Sequence, residues 1–166
     1  VTHDTYTDAF IRDVLGRVRS IALVGASDDP VRASYFVLKY LMDKGYRMIP
    51  VNPKLAGGTI LGQRVYASLA DLPEAPDMVD IFRNAKAAGG IVDEAIAAGA
   101  RVVWMQLGVR NDEAAARAEA AGLTAVMNRC PKIEYQRLFG EIGRIGINSN
   151  VLFGARRPTK TFKKLI

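Results

Sequence analysis

The chain has one cysteine, one histidine and one tryptophan in 166 residues. A lone cysteine excludes an internal disulfide. A lone histidine, His3, excludes multi-histidine metal sites and most histidine-based triads. It lies in an unpatterned N-terminal stretch and is expected to face solvent. No apolar run approaches the roughly 20 residues that a membrane helix needs. The opening residues lack the basic, apolar, small-residue order of a signal sequence, so a cytoplasmic setting is expected.

A long basic surface is also missing. The formal charge is +6, but much of it sits at the end, in Arg156, Arg157, Lys160, Lys163 and Lys164. Without that tail the chain is close to neutral, which leaves one short basic segment behind any nucleic-acid reading. The tail reads as solvated or as an oligomer contact, and neither nucleic acid nor membrane is expected as a partner. The remaining composition, 49% hydrophobic and 24% charged, suits one folded domain with a real core.

What the chain does have is a regular alternation. Ile21 to Val24 is a short apolar run that enters Gly25-Ala26-Ser27, and a helical pattern begins after Pro30. This is the profile of a buried parallel strand turning tightly into a helix. Such a turn points backbone N–H groups at an anion, usually a phosphate. An amphipathic helix over 7–18 precedes it, with Phe10, Ile11, Val14 and Val18 near one face. Four further strands follow: 46–51, 78–82, 101–106 and 123–127. Helices are predicted over 33–44, with Phe36, Val37, Tyr40 and Leu41 spaced for burial, over 86–98, over 112–121 capped by Asn111, and from Pro131 to about 138. Residues 54–62 read as a Gly-rich loop, Val65 and Tyr66 as a short edge element, and 69–76 as a turn or a single helical turn.

Five strands alternating with helices predict an α/β fold, a Rossmann-like doubly wound parallel sheet with helices on both faces. The expected strand order is 3-2-1-4-5. Ligands bind such sheets beyond the carboxyl ends of the strands. The candidates are therefore Gly25 to Arg32, Asn52 to Gly58, Arg83 and Asn84, Gln106 to Val109, and Asn128 to Cys130.

Gly25, Ala26, Ser27 and Pro30 depart from the G-x-G-x-x-G dinucleotide fingerprint, but Ser27 adds a hydroxyl that can donate to a phosphate. A nicotinamide enzyme usually carries an acidic residue after the second strand to hold the ribose diol. Here that stretch is Asn52-Pro53-Lys54, with a positive charge in its place. A ribose bearing an extra phosphate fits better, which favours coenzyme A or NADP over NAD. Arg32 can neutralise either the pyrophosphate or that ribose phosphate. Gln106 is a candidate hydrogen-bond partner for a ligand. Tyr35 and Phe36 either line a ligand surface or pack helix against sheet. Glu134 and Tyr135 read as packing or capping residues, with acid–base work the other option. Cys130 is either a buried apolar cysteine or, with Arg129 favouring its thiolate, a partner for a ligand thiol.

Several stretches together resemble the small stand-alone CoA-binding proteins, which carry the fold of the nucleotide-binding domain of the succinyl-CoA synthetase α subunit. They are IALVGASDDPVRASYFVLKYL, GYRMIPVNPK, LGQRVYASLADLP, VDIFR, AIAAGARVVWMQLGV, ARAEAAGL and MNRCPKIEYQRL, within about residues 15–138. The resemblance implies a single CoA-binding Rossmann-like domain over 1–166, with its core at about 15–138 and an extension over 139–166. It implies that Gly25, Ala26 and Ser27 hold the pyrophosphate, that Lys54 neighbours the adenosine phosphate, and that Phe82, Arg83 and Asn84 border the pantetheine path. The synthetase also uses a phosphorylated histidine outside this domain, and the chain has only His3. Asn128 stands where the relatives often carry Asp.

The expectation is non-catalytic binding of coenzyme A or an acyl-CoA. An NADP-linked oxidoreductase and a structural or regulatory subunit without an essential ligand are the alternatives. A homodimer is expected from the apolar residues of the C-terminal extension.

Overall fold

Apolar runs of four or five residues, bounded by glycine and polar turns, become the strands of a central sheet. The computed structural model describes residues 2–140. In chain order these form α1 (Asp8–Arg17), β1 (Ser20–Val24), α2 (Ala33–Asp43), β2 (Arg47–Val51), β3 (Thr59–Ile60), β4 (Gln63–Arg64), a 3-10 turn (Leu69–Asp71), β5 (Met78–Ile81), α3 (Ala85–Ala97), β6 (Val102–Met105), α4 (Asp112–Ala120), β7 (Thr124–Val126) and α5 (Pro131–Phe139). The basic tail and the apolar segment behind the dimer expectation lie outside the described residues.

The five predicted strands form one parallel sheet, a Rossmann-like doubly wound fold, in the order β2-β1-β5-β6-β7. Counting only those five strands, the order is 2-1-3-4-5 and not the expected 3-2-1-4-5. Pro50 supplies a physical reason. Val51 faces β1, and its carbonyl accepts from Gly25 N–H at 3.0 Å. Pro50 therefore points its backbone outward, where it has no N–H to donate to a further strand. Its carbonyl instead accepts from Tyr66 N–H at 3.0 Å, in a short parallel bridge between Val51 and Tyr66. The second strand is thus an edge strand, and the third crosses to the far side of β1. The Gly-rich loop ends in the first strand and turn of a small hairpin, β3–β4, turned by Leu61 and Gly62, both at positive φ.

Helices cover both faces. Residues of α1, α2 and α5 pack on one face with Leu23, Trp104 and Val126. On the other face α3 and α4 present Ala88, Ala95, Ala114, Ala115 and Ala118. Side-chain caps start three helices: Thr7 accepts from Phe10 N–H, Asn84 from Ala87 N–H and Asn111 from Ala114 N–H. In α2, Val37 and Leu41 are buried as expected, but Phe36 is 51% exposed. Leu38 takes that place in the core.

His3 also differs from expectation. Its side chain is only 8% exposed. Tyr6 docks the N-terminal segment by accepting from Met127 N–H at 2.8 Å. That brings His3 Nδ1 to 2.9 Å from the Tyr6 hydroxyl and Nε2 to 3.3 Å from Glu119.

Candidate functional site

The register aligns Val24 with Val51 on one side and Ile81 on the other, so β1, β2 and β5 end together. Beyond these ends lies a cleft of about 720 Å³. It brings together Gly25, Ala26, Ser27, Arg32, Asn52, Lys54 and Arg83 from three separate loops. Pro30 is exposed and lines neither this cleft nor the second one described below.

Gly25 makes this turn possible. Its φ is +93°, and a Cβ there would stand 2.5 Å from the Phe82 carbonyl oxygen. The N–H groups of Gly25 and Ala26 both donate to the Val51 carbonyl, at 3.0 and 3.3 Å. They hold the turn to β2, so anion-facing donors come from further along. Among the described residues no hydrogen bond takes up the N–H groups of Ser27, Ala33 or Ser34. The latter two open α2, whose N-cap, Arg32, supplies no side-chain cap. The Ser27 hydroxyl accepts from Asp29 N–H at 3.1 Å and keeps its own proton for a ligand.

Asn52 works as a brace. Its Nδ2 donates to the Ala26 carbonyl at 2.7 Å and its Oδ1 accepts from Lys54 N–H at 2.9 Å. This ties the turn after β1 to the loop after β2 and presents Lys54, which is exposed at the cleft wall. Arg32 is 4.0 Å from Asp29. Among the described residues neither Lys54 nor Arg83 forms an ion pair. Glu94 contributes a carboxylate to the lining.

A second cleft, of about 610 Å³, adjoins the first and shares Ala33, Phe82 and Arg83 with it. It collects the remaining candidates, Asn84, Gln106 and Cys130. Asn84 uses its Oδ1 to cap α3. Gln106 is buried, and its Nε2 donates to both oxygens of Asp80, at 3.0 and 3.1 Å. Asp80 escaped the sequence reading. It is fully buried on the central strand β5, in register with Leu23 and Trp104. Burial pushes its carboxyl up to about 8, against a smaller lowering by Gln106. The available signal was an acid inside an otherwise apolar strand, Met78-Val79-Asp80-Ile81.

Cys130 is buried at the N-cap of α5, and burial pushes its thiol pKa up, only partly offset by backbone hydrogen bonds from Ile133 and Lys132. Arg129 does not supply the expected activation. Its guanidinium stacks 5.3 Å over the Tyr6 ring and lies 4.0 Å from Glu134. Glu134 is itself buried in a 2.6 Å pair with Arg137, which reaches Asp8 at 2.6 Å and so ties α5 to α1. Tyr135 packs edge-on against Tyr40 and Tyr46. Neither Tyr35 nor Phe36 lines either cleft. Asn128 adopts φ +53° and accepts from Gly108 N–H at 2.8 Å, so it holds the loop after β6. Among the described residues no group of three or more His, Cys, Asp or Glu side chains is placed to hold a metal ion.

One cleft thus offers cations, a hydroxyl and unpartnered amides to an anion, and its neighbour offers mainly apolar walls. Residues 19–136 match a protein family described as the CoA binding domain. The chain belongs to this CoA-binding family. A relative in Bacillus subtilis (strain 168), the uncharacterized protein YneT, is 36% identical over 127 residues, covering 76% of this chain and 93% of the relative. The family tie extends to the α subunit of an ADP-forming acetate–CoA ligase from Pyrococcus furiosus, 33% identical over 95 residues. That match covers 55% of this chain and 21% of the ligase subunit, so the chain corresponds to about a fifth of that protein. A solved structure, a hypothetical protein from Pyrococcus horikoshii OT3, aligns with a TM-score of 0.77 at 44% identity, over 82% of this chain and 95% of that one. These likenesses support a CoA-binding family related to CoA ligases and do not point specifically to the succinyl-CoA synthetase α subunit.

Proposed function

We propose that the protein binds coenzyme A or an acyl-CoA without catalysing a reaction, with the nucleotide end of the ligand in the first cleft. The observation that carries this reading is the convergence of unpartnered amides at Ser27, Ala33 and Ser34 with the cations of Arg32 and Lys54 beside the Gly25 turn. Unpartnered amides at a helix start favour a pyrophosphate. Lys54, presented by the Asn52 brace, suits the ribose phosphate that distinguishes CoA from dephospho-CoA. Arg83 stands where the pantetheine arm leaves the nucleotide. Asp80 is fully buried and lines neither cleft, and burial holds the Cys130 thiol toward its neutral form, which supports binding in preference to nucleophilic work.

The test is calorimetric titration of nucleotide-free, reduced protein with CoA, dephospho-CoA, NADP and NAD. CoA is expected to bind well above the two nicotinamide nucleotides. Lys54→Ala is expected to weaken CoA about tenfold and dephospho-CoA much less, since a charge-assisted hydrogen bond contributes about 1.5–3 kcal/mol. Equal weakening of both would remove Lys54 from the phosphate. Binding of NADP in preference to CoA would favour the oxidoreductase alternative, and binding of none of the four would favour a subunit without an essential ligand.

A further inference from the structure

Asp80 is a buried acid that the proposed binding does not yet use. It lies on β5 between Leu23 of β1 and Trp104 of β6, and among the described residues its hydrogen-bond partner is Gln106. The other ionisable groups buried on this face are engaged elsewhere. Tyr46 donates to the Leu15 carbonyl, Tyr6 accepts from Met127 N–H, and on α5 Glu134 pairs with Arg137, which also reaches Asp8 of α1. From α2 come the uncharged Val37, Leu38 and Leu41. The titratable group that senses Asp80 is the Cys130 thiol, pushed up by burial and further by the Asp80 charge.

Gln106 is 5% exposed and lines the second cleft, so a change at Asp80 reaches that cleft through a single amide. The orientation of the amide depends on the proton. An ionised carboxylate only accepts, and takes the N–H edge of the amide, as it does here with Nε2 at 3.0 and 3.1 Å from its two oxygens. Gln106 Oε1 is then approached, among the described residues, by Leu107 N–H alone, at a long 3.4 Å. A protonated carboxyl has an O–H to give, and the oxygen of the same amide is the acceptor for it. In that state Oε1 is withdrawn from the cleft. The pantetheine arm of CoA carries two amide N–H groups, and each needs an acceptor once water is displaced.

We propose that Asp80 is a positioning residue that couples CoA binding to the release of one proton, its ionised carboxylate turning Gln106 so that Oε1 accepts from an amide N–H of the pantetheine arm. This rests on the reading of CoA in the two clefts. The proton passes from the Asp80 carboxyl to solvent, and no other bond is made or broken. Burial holds the carboxyl of the ligand-free protein up at about 8, so near neutral pH the proton is present before the ligand enters. A donor on Oε1 favours the ionised form. Affinity for CoA therefore rises with pH below about 8 and levels off above it.

Calorimetric titration of the full chain at pH 6, 7 and 8, with CoA and with adenosine 3′,5′-bisphosphate, tests the coupling. The second ligand carries the ribose phosphate but no pantetheine arm, so it reports the pH dependence of the first cleft alone. One linked proton changes affinity by up to about tenfold per pH unit. CoA is expected to gain at least about fivefold over the bisphosphate between pH 6 and pH 8. Repeating the titrations at pH 7 in buffers of different ionisation enthalpy counts the proton, and CoA is expected to release more than the bisphosphate does. Asp80→Asn carries a permanent donor for Gln106 Oε1, and is expected to hold CoA near the low-pH affinity of the wild type at every pH. Gln106→Leu keeps Asp80 but removes the amide, and is expected to abolish the excess proton release. Circular dichroism verifies the fold of both variants. Equal pH profiles for CoA and the bisphosphate, proton uptake in place of release, or an excess that survives in either folded variant overturns the coupling and leaves the CoA reading standing. Failure of both ligands to bind at any pH removes the CoA reading and the coupling with it.

Discussion

On the two sides of Arg83 the protein meets a ligand by different means. The first cleft works with backbone amides and with exposed side chains such as Lys54 and Arg32, whose charges stand in solvent. The second is lined mainly by apolar side chains, with Gln106 engaged by Asp80 behind it and Cys130 at the start of α5. Exposed charges are screened by salt within about 8–10 Å, while apolar walls are not. Binding through the first cleft should therefore weaken with ionic strength, and any contribution from the second should persist. The contrast also separates two kinds of constraint. The first cleft depends on close backbone approach, and the second on the protonation and burial of a few side chains.

Backbone approach gives the largest expected effect. Gly25 and Gly108 both adopt positive φ, +93° and +80°, and they stand in loops beside the two clefts. A Cβ on Gly25 meets the Phe82 carbonyl oxygen at 2.5 Å, whereas one on Gly108 meets nothing within 4 Å. Gly108→Ala should thus lose only the cost of the left-handed conformation, about 1–2 kcal/mol. Gly25→Ala adds a clash with a carbonyl that is itself fixed, because Phe82 N–H donates to Val24 at 2.8 Å. Its expected loss is about 2–5 kcal/mol, from strain and overpacking together. Urea unfolding of the two variants measures the difference. Similar losses for both would mean that the β1 turn is free to shift away from Phe82.

The first cleft was largely legible in the sequence because its parts are local. A glycine ending an apolar strand, a lysine after the next strand and a helix start each announce themselves within a few residues. What was not legible depends on partners far along the chain. Gly25 and Ala26 were expected to face an anion, yet both donate to Val51, a residue of another strand. Asp80 stands out by its neighbours, but nothing local indicates Gln106 as its partner, 26 residues away. Arg129 lies beside Cys130 in sequence and spends its charge on Tyr6 and Glu134. The strand order was misjudged although Pro50 marks an edge, because that mark depends on which way its backbone faces.

The buried acid gives the next effect in size, and it lies behind Gln106, which lines the second cleft. The Asp80 carboxyl, near 4 when unfolded, is pushed up to about 8 in the fold by burial. Between those values the folded chain keeps a proton that the unfolded chain has lost. The unfolding free energy should then fall as pH rises through the window, by up to about 1.4 kcal/mol per pH unit. Asp80→Asn keeps the shape, cannot ionise and should flatten that slope. Urea titrations of both proteins at pH 5, 6, 7 and 8 provide the measurement. Parallel slopes in wild type and variant would mean that another group titrates.

Thiol reactivity is the smallest effect and the most direct comparison of the clefts. Cys130 is 9% exposed, and burial raises its pKa against the weaker pull of the Lys132 and Ile133 amides and the Lys132 charge. Less thiolate and less access both slow alkylation. Ser27→Cys in a Cys130→Ser background moves the single thiol to the half-buried turn of the first cleft, beside Arg32 and Lys54. At pH 7.5 iodoacetamide should modify this transferred thiol at least about tenfold faster than Cys130, because nearby cations and access favour the thiolate. The same ordering should hold in high salt with a smaller ratio, since screening weakens the cations of the first cleft and leaves the burial of Cys130 untouched. If Cys130 reacts as fast as the transferred thiol, then solvent and reagent reach the floor of the second cleft freely. Its apolar walls would then be no drier than the charged ones across Arg83.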